Sequence, residues 1–245
     1  MEKIKLLSLV VPAYKQEKTI TKDIVSLDRA LSLLPLKHEI IVVIDGYVDK
    51  TNEILKEQTG KIKNLKILGF EKNCGKGYSV KYGILKAKGD VVGFIDAGMD
   101  IDPSSVGDLI ESMKTNGADI VIGSKFHPDS NIKYPLVRRI LSWGYKNIVH
   151  LLFGLNVRDT QAGLKLFRKE VAKKVFPKVR VRTFAFDIEV LVIAKSMGFD
   201  KIYDAPIKVH LKKGTITNIN FFIVALGMLI DTIKVFFRIK TNYYN

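Results

Sequence analysis

A chain of 245 residues with 47% hydrophobic and 27% charged positions can bury a substantial core, which excludes a disordered tail or linker. Forty Lys and Arg against 25 Asp and Glu leave a formal net charge of +15, which points to an anionic partner: nucleic acid, an acidic membrane surface or a phosphorylated substrate. The single cysteine, Cys74, excludes an internal disulfide and fits a reducing compartment, and the N-terminal residues lack the apolar stretch of a signal peptide.

Residues 6–11 are a continuous apolar run closed by Pro12, the pattern of a central parallel strand. Residues 19–34 have helical periodicity, with Ile20, Ile24, Leu27, Leu31 and Leu34 on one face. A second strand is predicted over 39–44, ending at Asp45 and Gly46, and a helix over 52–58 entered past Asp49 and Thr51. A third strand over 65–70 leads into NCGKG at 73–77 and a helix over 78–86. Residues 91–95, VVGFI, read as a short buried strand that stops at Asp96, with Asp100, Asp102 and Pro103 following. A helix over 103–115 and a strand over 120–123 continue an alternation that means βαβ units and a mostly parallel sheet with right-handed crossovers.

Beyond Phe126 the pattern changes: a polar loop over 127–134, a long helix over 136–153, a motif-bearing stretch over 157–167, a helix over 186–194 and a late strand over 201–209. In the last segment, 219–239, Asp231, Lys234 and Arg238 fall on one side of a helical wheel with Asn220 and Gly227, opposite Phe, Ile, Leu and Met. These charges come too early for a membrane span of about 20 apolar residues. The expectation is a helix lying in a membrane interface, with Lys240, Tyr243 and Tyr244 at the headgroups; a helix packed on the domain's own core or in a dimer is the alternative. The chain would then divide into an α/β domain at 1–215 and a C-terminal amphipathic helix at 216–245.

The acidic residues after the fourth strand sit where open α/β sheets bind ligands, and clustered oxygen ligands suit Mg²⁺ or Mn²⁺ holding a diphosphate. The plainer reading is a solvated acidic turn in which Asp102 caps the next helix. The first strand lacks the glycine-rich turn of a dinucleotide fold, which disfavours a dehydrogenase. The GKG at 75–77 misses the Walker pattern, though its amides and Lys76 suit an anion. The four histidines are scattered, and no serine or cysteine sits in a nucleophile elbow. Basic residues spread along the chain with few interleaved aromatics disfavour nucleic acid.

Taken together, VVPAY at 10–14, VVIDG at 42–46 with Asp49 and Thr51, NCGKG at 73–77 and IDA at 95–97 resemble the family-two inverting glycosyltransferases of the GT-A fold. RDTQAGLKLF at 158–167 and FAFDIEVL at 184–191 look like the polyprenyl-phosphate branch, closer to dolichyl-phosphate glucosyltransferases than to mannose synthases. The likeness implies that Pro12, Tyr14 and Asp45 hold the base and ribose of a nucleotide sugar, with Ala13, Gln16 and Val43 in the same site. Lys76 would lie near that nucleotide, and Asp96, beside Ala97, would face a metal-bound diphosphate. Asp159 and Gln161 would line the sugar and acceptor side, and Lys125 with Arg139 or Arg138 would grip an acceptor phosphate.

Ile44 replaces the first acid of the family's Asp-Asp pair, Gln16 stands at the place of a base-contacting Glu, and Gly98 replaces the second Asp of Asp-Ala-Asp. Asp100 is the candidate replacement metal ligand beside Asp96, and a Gly98→Asp change is expected to tighten metal binding. The resemblance implies transfer of glucose from UDP-glucose, or mannose from GDP-mannose, to a polyprenyl or dolichyl phosphate at the cytoplasmic face of a membrane. Such an acceptor is already largely a dianion at neutral pH and needs no general base. A sugar-hydroxyl acceptor would need one, for which Asp159 is the candidate. A nucleotide-binding homologue with weakened catalysis is a further alternative.

Overall fold

A computed structural model describes residues 4–98, 100–130, 136–210 and 219–244, with the side chains of 136–142 and 219–223 excepted. Seven strands form one sheet in the order β3-β2-β1-β4-β6-β5-β7: β1 (Leu6–Ala13), β2 (Lys37–Asp45), β3 (Leu65–Phe70), β4 (Val91–Ile95), β5 (Ile120–Ser124), β6 (Leu164–Arg168) and β7 (Ile202–Pro206). All ladders are parallel except those of β6, which runs antiparallel to β4 and β5.

Strand alternation sorts the core into two layers. Leu9, Val11, Ile40, Val42 and Ile44 pack with α1 (Ile20–Ser32), α2 (Thr51–Lys56) and α4 (Ser105–Asn116). Val10, Ile41, Val43, Val92 and Phe94 pack with α3 (Lys76–Lys86), α5 (Leu136–Phe153), α6 (Lys169–Val175), α7 (Phe186–Ser196) and α8 (Ile219–Lys240). The predicted α/β architecture is therefore present, with helices on both faces of a mostly parallel sheet. Two elements depart from the sequence pattern. β6 carries Lys165 at a fully buried position, which breaks the apolar run that marks the other central strands. α6 spans only seven residues, too short for periodicity to register.

From Phe186 to Ala194 every residue of the α7 helix is buried, and Asp187 and Glu189 are the polar ones in that stretch; Lys195 and Ser196 end the helix outside it. A helix without a polar face belongs inside, so these two acids must find partners there.

α8 docks by its polar side. Thr232 is buried and its hydroxyl meets that of Tyr145 on α5 at 2.7 Å. Asp231 Oδ2 accepts the Thr183 hydroxyl at 2.7 Å, and Arg238 reaches Glu189 at 3.2 Å. The outward face carries Leu226, Ile230, Ile233 and Phe237, at 59, 46, 44 and 61% exposure. Tyr244, expected at a headgroup layer, is instead buried with its hydroxyl on Glu189, because the turn after α8 folds back onto α7. Tyr243 and Lys240 remain exposed. No helix among the described residues is long and apolar enough to cross a membrane.

Candidate active site

The carboxyl ends of β1, β2 and β4 open into a cleft of about 560 Å³, a size suited to a small-molecule ligand. Pro12, Ala13 and Tyr14 form one rim, followed by Gln16; Asp45 comes from β2, and Asp96 with Ala97 from β4. The opposite wall is Thr183 and Phe184, on the strap leading into α7, together with Val224, Gly227, Met228 and Asp231 of α8. The C-terminal helix is thus part of the site, and its apolar residues make that wall largely hydrophobic.

Asp45 builds the loop that launches α3. Its carboxylate accepts the amides of Cys74 at 2.6 Å and Gly75 at 3.0 Å, fixing where Lys76 begins. Lys76 then reaches the floor of the cleft, its Nζ 2.7 Å from Asp96 Oδ1 and 2.9 Å from Oδ2. The ammonium is walled by the rings of Phe94, Phe184 and Phe186, each centred 5.8 Å away. Burial works against its charged form, but the carboxylates of Asp96 and Asp187 outweigh that and hold its pKa above the usual lysine value. Only Oδ2 meets hydrogen-bond geometry; Asp96 Oδ1 is buried without a hydrogen-bond partner despite its closeness to the ammonium.

Asp96 is set in place from below. Its amide donates to the Gly163 carbonyl at 2.9 Å, and a Cβ on Gly163 would stand 2.4 Å from Asp96 Oδ2, so only glycine leaves room for the carboxylate. The following turn passes through Gly98 at φ +100°, whose amide donates to Asp23 Oδ2 at 2.7 Å.

Not every predicted residue meets the cleft. Val43 is fully buried in the core against Gly83, because strand alternation turns it toward α3. Asp100 has an exposed side chain outside the cleft lining, and its carbonyl accepts the His210 amide at 2.9 Å. Asp102 does not cap α4, whose N-cap is Ser104 without a side-chain hydrogen bond; Asp102 Oδ1 accepts the Ser104 amide at 2.8 Å in the turn before the helix. Asp159 is buried, with its oxygens on the amides of Lys125 at 3.2 Å and Gln161 at 3.3 Å. It joins the end of β5 to the loop before β6. Gln161 touches the cleft indirectly, its Nε2 lying 3.6 Å from Met228 Sδ. Arg138 and Arg139 belong to α5, but their side chains lie outside the described residues.

Sequence reasoning missed the support beneath the floor. Lys165 and Asp187, at 0 and 2% exposure, pair at 2.5 Å, and Lys165 Nζ also donates to the Ala162 carbonyl at 2.7 Å. Burial pulls the Lys165 pKa down and pushes that of Asp187 up, in each case against the charged form. Asp187 also faces Lys76 electrostatically. The available signal was the FDIE of α7: two acids on an otherwise apolar helix imply buried partners.

A mostly parallel sheet with helices on both faces and a cleft beyond the carboxyl ends of β1, β2 and β4, at its switch point, defines an open-sheet α/β fold of the ligand-binding type. The chain belongs to glycosyl transferase family 2, whose profile matches residues 8–176, and it is a glycosyltransferase. It is 34% identical to the dolichyl-phosphate beta-glucosyltransferase ALG5A of Trichomonas vaginalis, over 94% of this chain and 72% of that protein. It is 31% identical to the dolichyl-phosphate beta-glucosyltransferase of Saccharomyces cerevisiae, over 93% of this chain and 71% of that one. Among crystal structures, glucosyl-3-phosphoglycerate synthase from Mycobacterium tuberculosis, in complex with Mn²⁺, UDP and phosphoglyceric acid, superposes with a TM-score of 0.69. That match has 20% sequence identity, covers 95% of this chain and 78% of the other, and establishes the shared fold.

Proposed function

We propose that the protein transfers glucose from UDP-glucose to a dolichyl-type polyprenyl phosphate, with inversion, at the cytoplasmic surface of a membrane. The names of its relatives motivate the substrates. The observation that carries the reading is the far wall of the cleft: α8 lines it from Val224 to Asp231 and turns a second apolar face outward. A lipid-linked phosphate approaching the Lys76–Asp96 floor along that helix would keep its isoprenoid chain beside apolar side chains. Trp143 and Leu151 of α5 are further exposed apolar side chains, at 68 and 85% exposure.

The donor would lie with its base and ribose against Pro12, Ala13, Tyr14 and Gln16 and its diphosphate near Lys76. Asp45 contributes by holding the loop that carries Lys76. A divalent cation would have a one-carboxylate site: on the cleft floor Asp96 Oδ1 is buried and makes no hydrogen bond, its neighbour being the Lys76 ammonium at 2.7 Å, Gly98 offers no ligand, and no cluster of three acidic, His or Cys ligands occurs among the described residues. Mg²⁺ commonly takes one or two carboxylates and fills its shell with substrate phosphates and water. When bound, Mg²⁺ or Mn²⁺ would neutralise charge on the departing nucleoside diphosphate.

The acceptor phosphate is its own nucleophile. Its oxygen attacks the anomeric carbon from the face opposite the diphosphate, and the bond to the diphosphate breaks as the new one forms. No general base is required, which agrees with Asp159 being tied to two backbone amides. Lys125 and Arg139 are the proposed grips on the acceptor phosphate, and Gln161 the proposed neighbour of the sugar.

The deciding assay offers labelled UDP-glucose or GDP-mannose with dolichyl phosphate and Mg²⁺ or Mn²⁺. Lipid-extractable label from UDP-glucose is the expected result, label from GDP-mannose alone would reassign the sugar, and label from neither would defeat the proposal.

A further inference from the structure

Glu189 takes no part in the cleft lining, yet it is fully buried and accepts four hydrogen bonds. Oε2 receives the amides of Arg180 at 2.8 Å and Val181 at 2.7 Å. Oε1 receives Arg238 Nη1 at 3.2 Å and the Tyr244 hydroxyl at 2.5 Å. The first two donors open the strap that carries Thr183 and Phe184 into the cleft. The other two come from the last turn of α8 and the turn beyond it, where Lys178 also grasps the Tyr244 carbonyl. Strap and helix meet again at the cleft, through Thr183 and Asp231.

A buried carboxylate is tolerated only while its acceptor positions are filled and its charge is matched. Arg238 is the cation bridged to Glu189, and its pKa stands above the usual arginine value despite burial, raised by Tyr244 and Glu189. If the end of α8 moved away, Oε1 would lose both donors and the charge would be left facing only the two strap amides. The strap and α8 are therefore held by one group and cannot shift independently.

We propose that Glu189 is a positioning residue for the cleft: the joint through which residues 238–244 hold the strap, and with it Thr183 and Phe184, in nucleotide-binding position. This deepens the reading of the same site and rests on it only for the nucleotide's identity. Because coupling between two sites is reciprocal, a nucleotide in the cleft must in turn tighten the C-terminal turn.

The test uses the full chain with UDP and Mg²⁺, followed by amide hydrogen exchange and calorimetric titration. UDP should slow exchange both in the strap and at residues 241–244. Tyr244→Phe and Arg238→Met, neither of which lines the cleft, should each speed strap exchange in the ligand-free chain. Each should weaken UDP by about ten-fold, the scale of one lost hydrogen bond to a charged group, and raise KM for the nucleotide sugar with kcat within about two-fold. Variants that melt earlier but keep wild-type strap exchange and UDP affinity would overturn the proposal, leaving Glu189 a stability residue. If the wild-type chain binds no UDP, the reading of the cleft fails, and strap exchange in ligand-free Tyr244→Phe against wild type still decides the joint.

Discussion

The two oxygens of Asp96 lie 2.7 and 2.9 Å from the Lys76 ammonium, so in the proposed reading a cation on the diphosphate would have to share that carboxylate with Lys76. Asp96→Asn removes the charge that sustains the Lys76 ammonium and, in the proposed reading, the cation's carboxylate. Turnover should fall by about 10²–10³-fold, the scale of a lost electrostatic stabiliser, measured in a single-turnover assay; activity within a few-fold of wild type would show the site to be misplaced. Gly98 decides against the simple repair suggested by the sequence. Its φ of +100° suits glycine, and its amide already sits on the Asp23 carboxylate. A carboxylate added there meets both backbone strain and a like charge. Gly98→Asp is therefore expected to cost about 1–3 kcal/mol of stability, seen as a lower Tm, and to leave Mn²⁺ affinity unimproved. Lys165 poses a different balance. Lys165→Met strands Asp187 in the core, and the loss should be about 3–5 kcal/mol by urea unfolding. Replacing both members, Lys165→Met with Asp187→Leu, should recover most of it, because the desolvation cost goes with the pair. If the double variant were no more stable than the single one, the pair would be contributing more than its own neutralisation.

The same buried pair explains which elements were legible in advance. β3 and β4 match their predicted bounds, β4 because nothing interrupts its apolar run and β3 despite Lys66, a half-exposed position that pairs with Glu39, and α1 follows its stripe of Ile20, Ile24, Leu27 and Leu31. β6 was hidden because Lys165 looks solvated until Asp187, 22 residues on, is known to meet it. The cleft shows the same division. Its β1, β2 and β4 rims could be found from short motifs at strand ends, where backbone geometry alone places the residues. The strap and α8 wall could not, since they depend on contacts such as Thr183 with Asp231 and Tyr244 with Glu189, across 48 and 55 residues. For α8 the helical wheel separated the two faces, and the apolar one points outward, the orientation an interface-lying helix requires, while Thr232, Asp231 and Arg238 of the other side meet the protein. Charges on a helix mark solvent only when the protein offers them no partner, and here Glu189 and Thr183 do.

At the scale of the whole molecule, the proposed membrane partner would be met by the outward apolar strip of α8 and by the net charge of +15, two means that an anionic bilayer can separate. Basic residues near an acidic leaflet contribute about 1 kcal/mol each and fade with salt over a Debye length of about 10 Å at 0.1 M. Apolar side chains entering the interface contribute about 1.5–3 kcal/mol each on full burial, with no such salt dependence. Binding to phosphatidylserine vesicles should therefore weaken on going from low to high salt and then level off rather than vanish. In the variant carrying Leu226→Ser and Phe237→Ser, the two most exposed positions of that strip, the plateau should drop by about ten-fold or more. Cleft function offers the control, since neither residue lines the cleft: UDP binding in the absence of lipid should be unchanged. Vesicle binding that disappears entirely at high salt in the wild type, or that survives both substitutions, would mean that charge alone brings the enzyme to the membrane and that the outward face of α8 serves another contact.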